Sequence, residues 1–296
     1  MTLRATVIDG GLSTALEEVG ADIGGPLWTA RAVVESPELL EEAHRRFVLA
    51  GAEIIATASY QCGAHEFAHM GLSDSAARRA LASTVDIARR AASGTRVRVA
   101  ASVGPYGAVR ADGSEYTGLY DVSWSVVEDY HRAKLEVLVG AGADLIAVET
   151  IPRADEARLI AEVLEDLGAP PAWFSFGATS PRATYGGDDP GSAVSGIAGY
   201  ANLVAVGVNC THPDVVDDII SVLREAAPGV GLIAYPNLGR TWNAETRAWA
   251  GDTSDPFTAE RVSDWTNRGV TMVGGCCGVG PSDIERLVAA VAPPVT

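Results

Sequence analysis

Three of the four cysteines in this 296-residue chain fall just past apolar runs. Cys210 ends Leu203-Val204-Ala205-Val206-Gly207-Val208-Asn209, while Cys276 and Cys277 end Val270-Thr271-Met272-Val273-Gly274-Gly275. Each run reads as a short buried strand, so the thiols stand at strand ends rather than inside a core. Three soft ligands suit Zn2+, one ion per chain, and three protein ligands leave a fourth tetrahedral position open for chemistry. Adjacent cysteines such as Cys276 and Cys277 do not bridge each other without strain. A zinc held by three thiolates is a poor activator of water. It is well suited to hold a substrate thiol as a nucleophilic thiolate at neutral pH. The chemistry predicted is alkylation of a thiol, not hydrolysis. The plainer alternative is that these cysteines are small buried hydrophobes.

Such a site needs a frame that gathers strand ends. Apolar runs alternate with helical patterns from end to end, which is the pattern of repeated βα units and a parallel sheet. Strands are predicted at 5–9, 53–59, 96–103, 144–149, 171–177, 203–209, 230–235 and 270–274. Helices are predicted at about 37–50, 73–93, 122–141, 153–167, 190–200, 213–226, 258–268 and 281–291. Gly51-Ala52-Glu53 and Gly142-Ala143-Asp144 repeat one device, a helix-ending glycine that leads into a strand. Pro37, Pro190, Pro213 and Pro281 sit near helix starts, where the missing N–H costs nothing. Eight units without an internal linker predict an α/β chain folded as a (β/α)8 TIM barrel, one domain over residues 1–296. A doubly wound open sheet is the runner-up and usually needs fewer units. The stretches 12–36 and 236–257, the second with Trp242 and Trp249, read as long loops over the barrel mouth.

In such barrels reactive groups collect at the C-terminal ends of the strands. Strand one ends in Asp9-Gly10-Gly11 and strand four in Glu149-Thr150, so Asp9 and Glu149 face the same mouth as the thiols. Paired carboxylates there bind an ammonium group, and the Gly10 and Gly11 N–H groups hold a carboxylate. Together these describe an amino-acid thiol. Strands six and eight have one neighbour between them, which lets three thiolates converge. The competing readings are a turn-forming role for Asp9 and an internal ion pair for Glu149. In the absence of the thiol substrate, an oxygen from Asn209, a mouth tyrosine or water is expected at the fourth zinc position. Cys62, His65 and His69 are taken as bystanders, and Gly186-Gly187-Asp188-Asp189 as a loop without a phosphate fingerprint.

Composition narrows the partners. The formal net charge of −16 and a pI near 4.7 argue against nucleic acid and anionic membranes. No apolar run approaches a membrane span, the N-terminus lacks the apolar stretch of an export signal, and unpaired thiols suit the cytoplasm. Small-molecule substrates are expected, with a monomer or small homo-oligomer.

At this point the residues carry a resemblance. Asp9-Gly10-Gly11, Leu27-Trp28, Thr57-Ala58-Ser59-Tyr60-Gln61, Gly104-Pro105-Tyr106-Gly107, Asp112-Gly113-Ser114-Glu115-Tyr116, Gly207-Val208-Asn209-Cys210 and Gly274-Gly275-Cys276-Cys277-Gly278 run in order along the chain. They resemble the zinc-dependent homocysteine S-methyltransferase family. The resemblance implies a (β/α)8 barrel with zinc on Cys210, Cys276 and Cys277. It also implies that Asp9 and Glu149 bind the homocysteine amino group, with Gly10 and Gly11 near its carboxylate. Trp28, Tyr60 and Asn209 match positions that line the site. The segment 102–116 is most similar to the bacterial and plant branch, which uses S-methylmethionine or S-adenosylmethionine. The C-terminal oligomerisation extension of the betaine-using branch is not expected, nor are the cobalamin and folate modules of large methionine synthases. Thr150 departs from relatives that carry an aromatic residue there, and Cys62 is an addition. The expected activity is methyl transfer from a sulfonium donor to L-homocysteine, with aromatic faces at Trp28, Tyr60 and Tyr106 meeting the sulfonium. Rival readings are another thiol or selenol acceptor, a betaine-type donor, a zinc-storage or redox-sensing protein, and a metal-dependent hydrolase. The storage reading leaves Asp9 and Glu149 without a role.

Overall fold

The computed structural model describes residues 4–22, 28–110, 112–239, 241–243, 248–250 and 255–292. The side chains of Trp28, His65, His69, Trp242 and Trp249, named above, lie outside the described part. Eight parallel strands form the centre: β1 (Thr6–Val7), β2 (Ile54–Ala56), β3 (Arg98–Val103), β4 (Leu145–Ile151), β5 (Ala172–Phe176), β6 (Leu203–Asn209), β7 (Gly231–Tyr235) and β8 (Val270–Val273). Their order is β1-β8-β7-β6-β5-β4-β3-β2. A parallel bridge between Ile8 and Ile54 closes the ring, supported by Glu53 N–H to Val7 O (2.8 Å) and Asp9 N–H to Ile54 O (3.0 Å). The predicted barrel is therefore the observed fold, and β7 is the one strand between β6 and β8.

The helices expected between strands are present, and their ends follow local chemistry. Pro37, Pro190, Pro213 and Pro281 each open a helix. The side chains of Ser73, Asp189 and Thr258 accept N–H bonds from Ala76, Ser192 and Arg261, satisfying donors that a helix start leaves bare. Gly51 and Gly142 adopt φ values of 96° and 75°, which turn the chain out of its helix toward the next strand. The acids that follow then tie neighbouring strands together. Glu53 Oε1 accepts the Val7 N–H (3.1 Å), and Asp144 Oδ2 accepts the Val99 N–H (2.8 Å).

Two apolar layers hold the frame. Ile8, Ile54, Ala100, Leu145, Ala147, Trp173, Ala205, Ile233, Tyr235 and Met272 fill the barrel interior. A larger layer, including Phe47, Leu135, Phe174, Ile220 and Trp265, packs the helices onto the outside of the strands. The barrel is thus a packed core that closes beneath its mouth. Among the described residues no helix is long and apolar enough to cross a membrane.

One expectation is corrected. The stretch 12–36 is not a continuous loop, because it contains helices Leu12–Glu18 and Trp28–Glu35. Leu12-Ser13-Thr14-Ala15-Leu16-Glu17-Glu18 is composed mainly of good helix formers, and burial of Ala15 and Leu16 anchors it. In 236–257, a short hairpin pairs Thr241–Asn243 with Ala248–Ala250.

Candidate functional site

The three predicted thiols meet at the C-terminal mouth. Cys210 follows β6 directly, and Cys276 and Cys277 follow β8 after two glycines. Their sulfurs all lie within 4.8 Å of one another. Cys210 Sγ stands 3.3 Å from Cys277 Sγ, and Cys276 Sγ stands 4.0 Å from Cys277 Sγ. Tetrahedral zinc bonded to sulfur at about 2.3 Å spaces its ligands by about 3.8 Å, so this cluster matches such an ion's footprint. The donor set can hold a metal.

The backbone is built to place these sulfurs. Cys210 adopts φ 51°, an unfavourable left-handed conformation for a residue with a side chain. Its N–H donates to Tyr235 O (3.2 Å), and its carbonyl accepts from the Tyr185 hydroxyl (2.6 Å) and Asn237 Nδ2 (3.2 Å). Local strain of this kind persists where surrounding bonds over-determine it. Across the cleft, Cys276 N–H donates to Pro236 O at 2.8 Å. Hydrogen bonds from the Cys210 and Cys276 sulfurs hold the Cys277 thiol well below its usual range, whereas the same sharing pushes Cys210 up. One thiolate is thus easy to form, and ionising all three together requires a cation.

The predicted carboxylates stand in the same pocket. Asp9 is buried, and its Oδ2 accepts the Ala56 N–H at 2.7 Å. Glu149 accepts hydrogen bonds from the Ser102 hydroxyl and from the Tyr235 hydroxyl, the latter at 3.1 Å. Burial raises both acids: Asp9 goes well above its ordinary value, with the Glu149 charge adding to the effect, and Glu149 reaches about 7. Neither forms an ion pair among the described residues, so the pair is poised to receive a cation.

Gly10 and Gly11 line the pocket beside Asp9. The Gly11 N–H donates to Val279 O (2.9 Å), so it is already engaged rather than open to a substrate carboxylate. A Cβ on Gly11 would lie 2.7 Å from Cys276 O, so this glycine lets the β1 loop press against the thiol loop. Asn209 is buried, and its Oδ1 accepts from Thr150 N–H (2.7 Å) and the Ser175 hydroxyl (2.9 Å). Its Nδ2 faces Cys276 Sγ at 3.8 Å. The Asn209 oxygen is therefore committed elsewhere, against the expectation that it approaches the fourth metal position. Tyr60 lines the pocket, and its carbonyl accepts from buried Lys134 at 2.8 Å. Tyr106 does not line it. Its ring packs edge-on against Tyr120 and Tyr130 and faces a separate cavity between the Asp74–Ala91 and Trp124–Gly140 helices. Cys62 is fully buried at the Ala58 carbonyl, away from the cluster, and burial pushes its thiol up to about 12.

Several further residues stand beside the thiols and acids. Trp173, Tyr235 and Ser102 line the pocket floor, with Trp173 Nε1 donating to the Tyr235 hydroxyl at 3.0 Å. Glu115 and Tyr116 reach the same pocket from the loop after β3. Both belong to the segment Asp112-Gly113-Ser114-Glu115-Tyr116, and nothing in the local sequence says where that loop points. Tyr185 comes from the turn after β5 and carried no sequence signal.

Comparisons with known proteins agree with this geometry. The family model described as homocysteine S-methyltransferase matches residues 6–291. Homocysteine S-methyltransferase 4 of Zea mays is 38% identical, covering 96% of this chain and 89% of that protein. Homocysteine S-methyltransferase YbgG of Bacillus subtilis is 34% identical, covering 97% and 95%. Selenocysteine Se-methyltransferase of Brassica oleracea var. italica is 35% identical, covering 95% and 87%. The crystal structure of the Escherichia coli homocysteine methyltransferase MmuM in its metallated form superposes with a TM-score of 0.85 at 34% identity, covering 97% of this chain and 96% of that one. The thiol cluster, the acids beside it and a match over nearly the whole barrel place this chain in the homocysteine S-methyltransferase family.

Proposed function

We propose that the protein transfers a methyl group from a sulfonium donor, S-methylmethionine or S-adenosylmethionine, to L-homocysteine, giving methionine. The observation that carries this reading is the convergence of Cys210, Cys276 and Cys277 beside Asp9 and Glu149 in one pocket. Cys210, Cys276 and Cys277 would hold Zn2+, which supplies a Lewis acid that keeps the homocysteine sulfur deprotonated near neutral pH. Asp9 and Glu149 receive the homocysteine ammonium and fix the rotation of its short chain. Gly10 and Tyr60 complete the wall around the acceptor, and Asn209 Nδ2 braces the Cys276 sulfur.

The thiol proton leaves to solvent as homocysteine binds. The sulfur lone pair then forms a bond to the donor methyl carbon. The donor's sulfur–methyl bond breaks with its electron pair staying on that sulfur, so thiolate and sulfonium become two neutral thioethers. No proton need reach the leaving group, and positioning supplies most of the acceleration. The likeness to a selenocysteine Se-methyltransferase supports a selenol as a second acceptor. Reduced thiols at the working site support a cytoplasmic location, in a monomer or small homo-oligomer. The test is turnover of purified zinc-loaded protein with homocysteine and a panel of S-methylmethionine, S-adenosylmethionine and betaine. Methionine formed from either sulfonium supports the reading; its absence with both sulfonium donors overturns it.

A further inference from the structure

The described lining of the thiol pocket holds three carboxylates, Asp9, Glu115 and Glu149, and no lysine, arginine or histidine. Buried Lys134, outside that lining, acts on Glu149, whereas among the described residues no side-chain cation acts on Glu115, so positive charge beside Glu115 arrives with a metal or a ligand. Asp9 and Glu149, with Tyr235, interact with Cys276. Glu115 interacts with Cys276 and Cys277, Tyr116 with Cys210 and Cys277, and Tyr60 with Cys210. Of this second group, Glu115 and Tyr116 enter the pocket from the loop after β3, with Tyr60 and Tyr116 lining the wall beside the Glu115 carboxylate. The Tyr116 ring packs edge-on against Tyr185, with centroids 5.4 Å apart.

Glu115 is placed by backbone rather than by a free side chain. Ser114 N–H donates to Asp112 Oδ1 (3.0 Å), and Gly113 turns the chain at φ 84° into the short 3-10 turn Ser114–Tyr116. That turn lies directly on the Tyr106–Val109 turn, and a Cβ on Gly107 would come within 2.4 Å of Glu115 N. Burial raises the Glu115 carboxyl to about 7, while hydrogen bonds from the Tyr116 and Tyr60 hydroxyls favour its ionised form, which a bound cation completes.

We infer that Glu115, framed by Tyr60 and Tyr116, is the counter-charge that selects a cationic methyl donor. The inference rests on the sulfonium reading above and adds a residue to its donor side. A sulfonium beside a carboxylate and aromatic faces gains both ion pairing and cation–π attraction. Its charge disappears as the methyl leaves, so Glu115 stabilises the bound donor more than the transition state. Its loss therefore falls on donor KM rather than on kcat. The neutral thioether product is then released from a site made for a cation.

The test pairs two unreactive donor mimics of one shape, cationic 2-amino-4-(trimethylammonio)butanoate and uncharged 2-amino-5,5-dimethylhexanoate, titrated calorimetrically into zinc-loaded protein. Wild type is expected to prefer the cation. Glu115→Gln should weaken it by roughly ten- to a hundredfold while the uncharged mimic changes less than about twofold, and Glu115→Asp should keep part of the preference. Donor KM should rise in parallel in Glu115→Gln, with homocysteine KM unmoved. Equal weakening of both mimics, or of neither, overturns the inference while wild-type turnover leaves the methyl-transfer reading intact. A wild type that methylates homocysteine from no sulfonium overturns both.

Discussion

Asn209 grips Thr150 at two points: its Oδ1 accepts the Thr150 N–H at 2.7 Å, and its Nδ2 donates to the Thr150 hydroxyl at 2.7 Å. Among the described residues, Thr150 (φ 60°) and Cys210 (φ 51°) are the non-glycine positions in the left-handed region. Thr150 follows Glu149, and Cys210 follows Asn209. One buried amide therefore joins the strand end bearing Glu149 to the strand end bearing the first thiol, and holds both in strained conformations. The departure at Thr150 noted in the sequence has a physical role, because its hydroxyl completes this clamp.

Asn209→Ala should strand the buried Thr150 N–H and take one partner from each of the Thr150 and Ser175 hydroxyls. The expected loss of stability is about 2–4 kcal/mol by urea denaturation, together with weaker zinc retention. Thr150→Gly relieves the backbone strain and keeps the N–H bond, so it should cost less than Thr150→Val, which keeps the strain and loses the hydroxyl. The reverse order would detach Thr150 from the clamp.

Zinc retention separates the four cysteines. Cys210→Ser, Cys276→Ser and Cys277→Ser should each drop metal content well below one per chain and abolish methyl transfer. Cys62→Ser should retain both, because Cys62 is buried away from the cluster. The barrel should stay folded in all four, which circular dichroism checks, since a core of this size does not depend on a metal at its mouth. Stoichiometric zinc in Cys276→Ser would contradict the assignment.

Recognition of the acceptor's amino group is assigned to Asp9 and Glu149. Asp9→Asn and Glu149→Gln should each raise homocysteine KM by about ten- to a hundredfold, equivalent to about 1.5–3 kcal/mol for a charge-assisted bond. A thiol without the amino group, 4-mercaptobutyrate, should be poor with wild type and far less sensitive to Asp9→Asn. Equal losses in kcat/KM for both thiols would mean that Asp9 only orders the loop after β1 through its bond to Ala56.

The acid at Glu149 also makes a stability prediction for the metal-free protein. Burial raises its carboxyl from 4.5 to about 7, so the folded state keeps a proton that the unfolded chain releases earlier. Its contribution therefore falls as pH rises from about 4.5 to about 7, by up to about 3 kcal/mol, and is constant above that. Buried His44, lowered to about 4, acts oppositely by favouring the fold as pH rises through that range. Subtracting the Glu149→Gln stability curve cancels the His44 effect. The difference should decline across this window; a flat difference would show that Glu149 is not raised.

Much of this was legible in the sequence, for definite reasons. Strands that are buried on both faces read as apolar runs, and helix-ending glycines at 51 and 142 marked the repeat, so the barrel and the strand-end placement of Cys210, Cys276, Cys277, Asp9 and Glu149 followed. Loop paths did not. Helix Leu12–Glu18 lay next to a glycine-rich stretch that masked its propensity, and Tyr106 turned away because its 3-10 turn points the ring at Tyr120 and Tyr130. Glu115 and Tyr185 reach the site through turns without periodicity. Whether the Gly11 N–H was open depended on Val279, 268 residues later, a contact that local reading does not register.

The central claim is that homocysteine places its sulfur on a zinc held by Cys210, Cys276 and Cys277. Zinc-edge X-ray absorption of the loaded protein, before and after saturating homocysteine, measures this directly. Three sulfur neighbours are expected to rise to four at about 2.3 Å. A count that stays at three with homocysteine bound would contradict it.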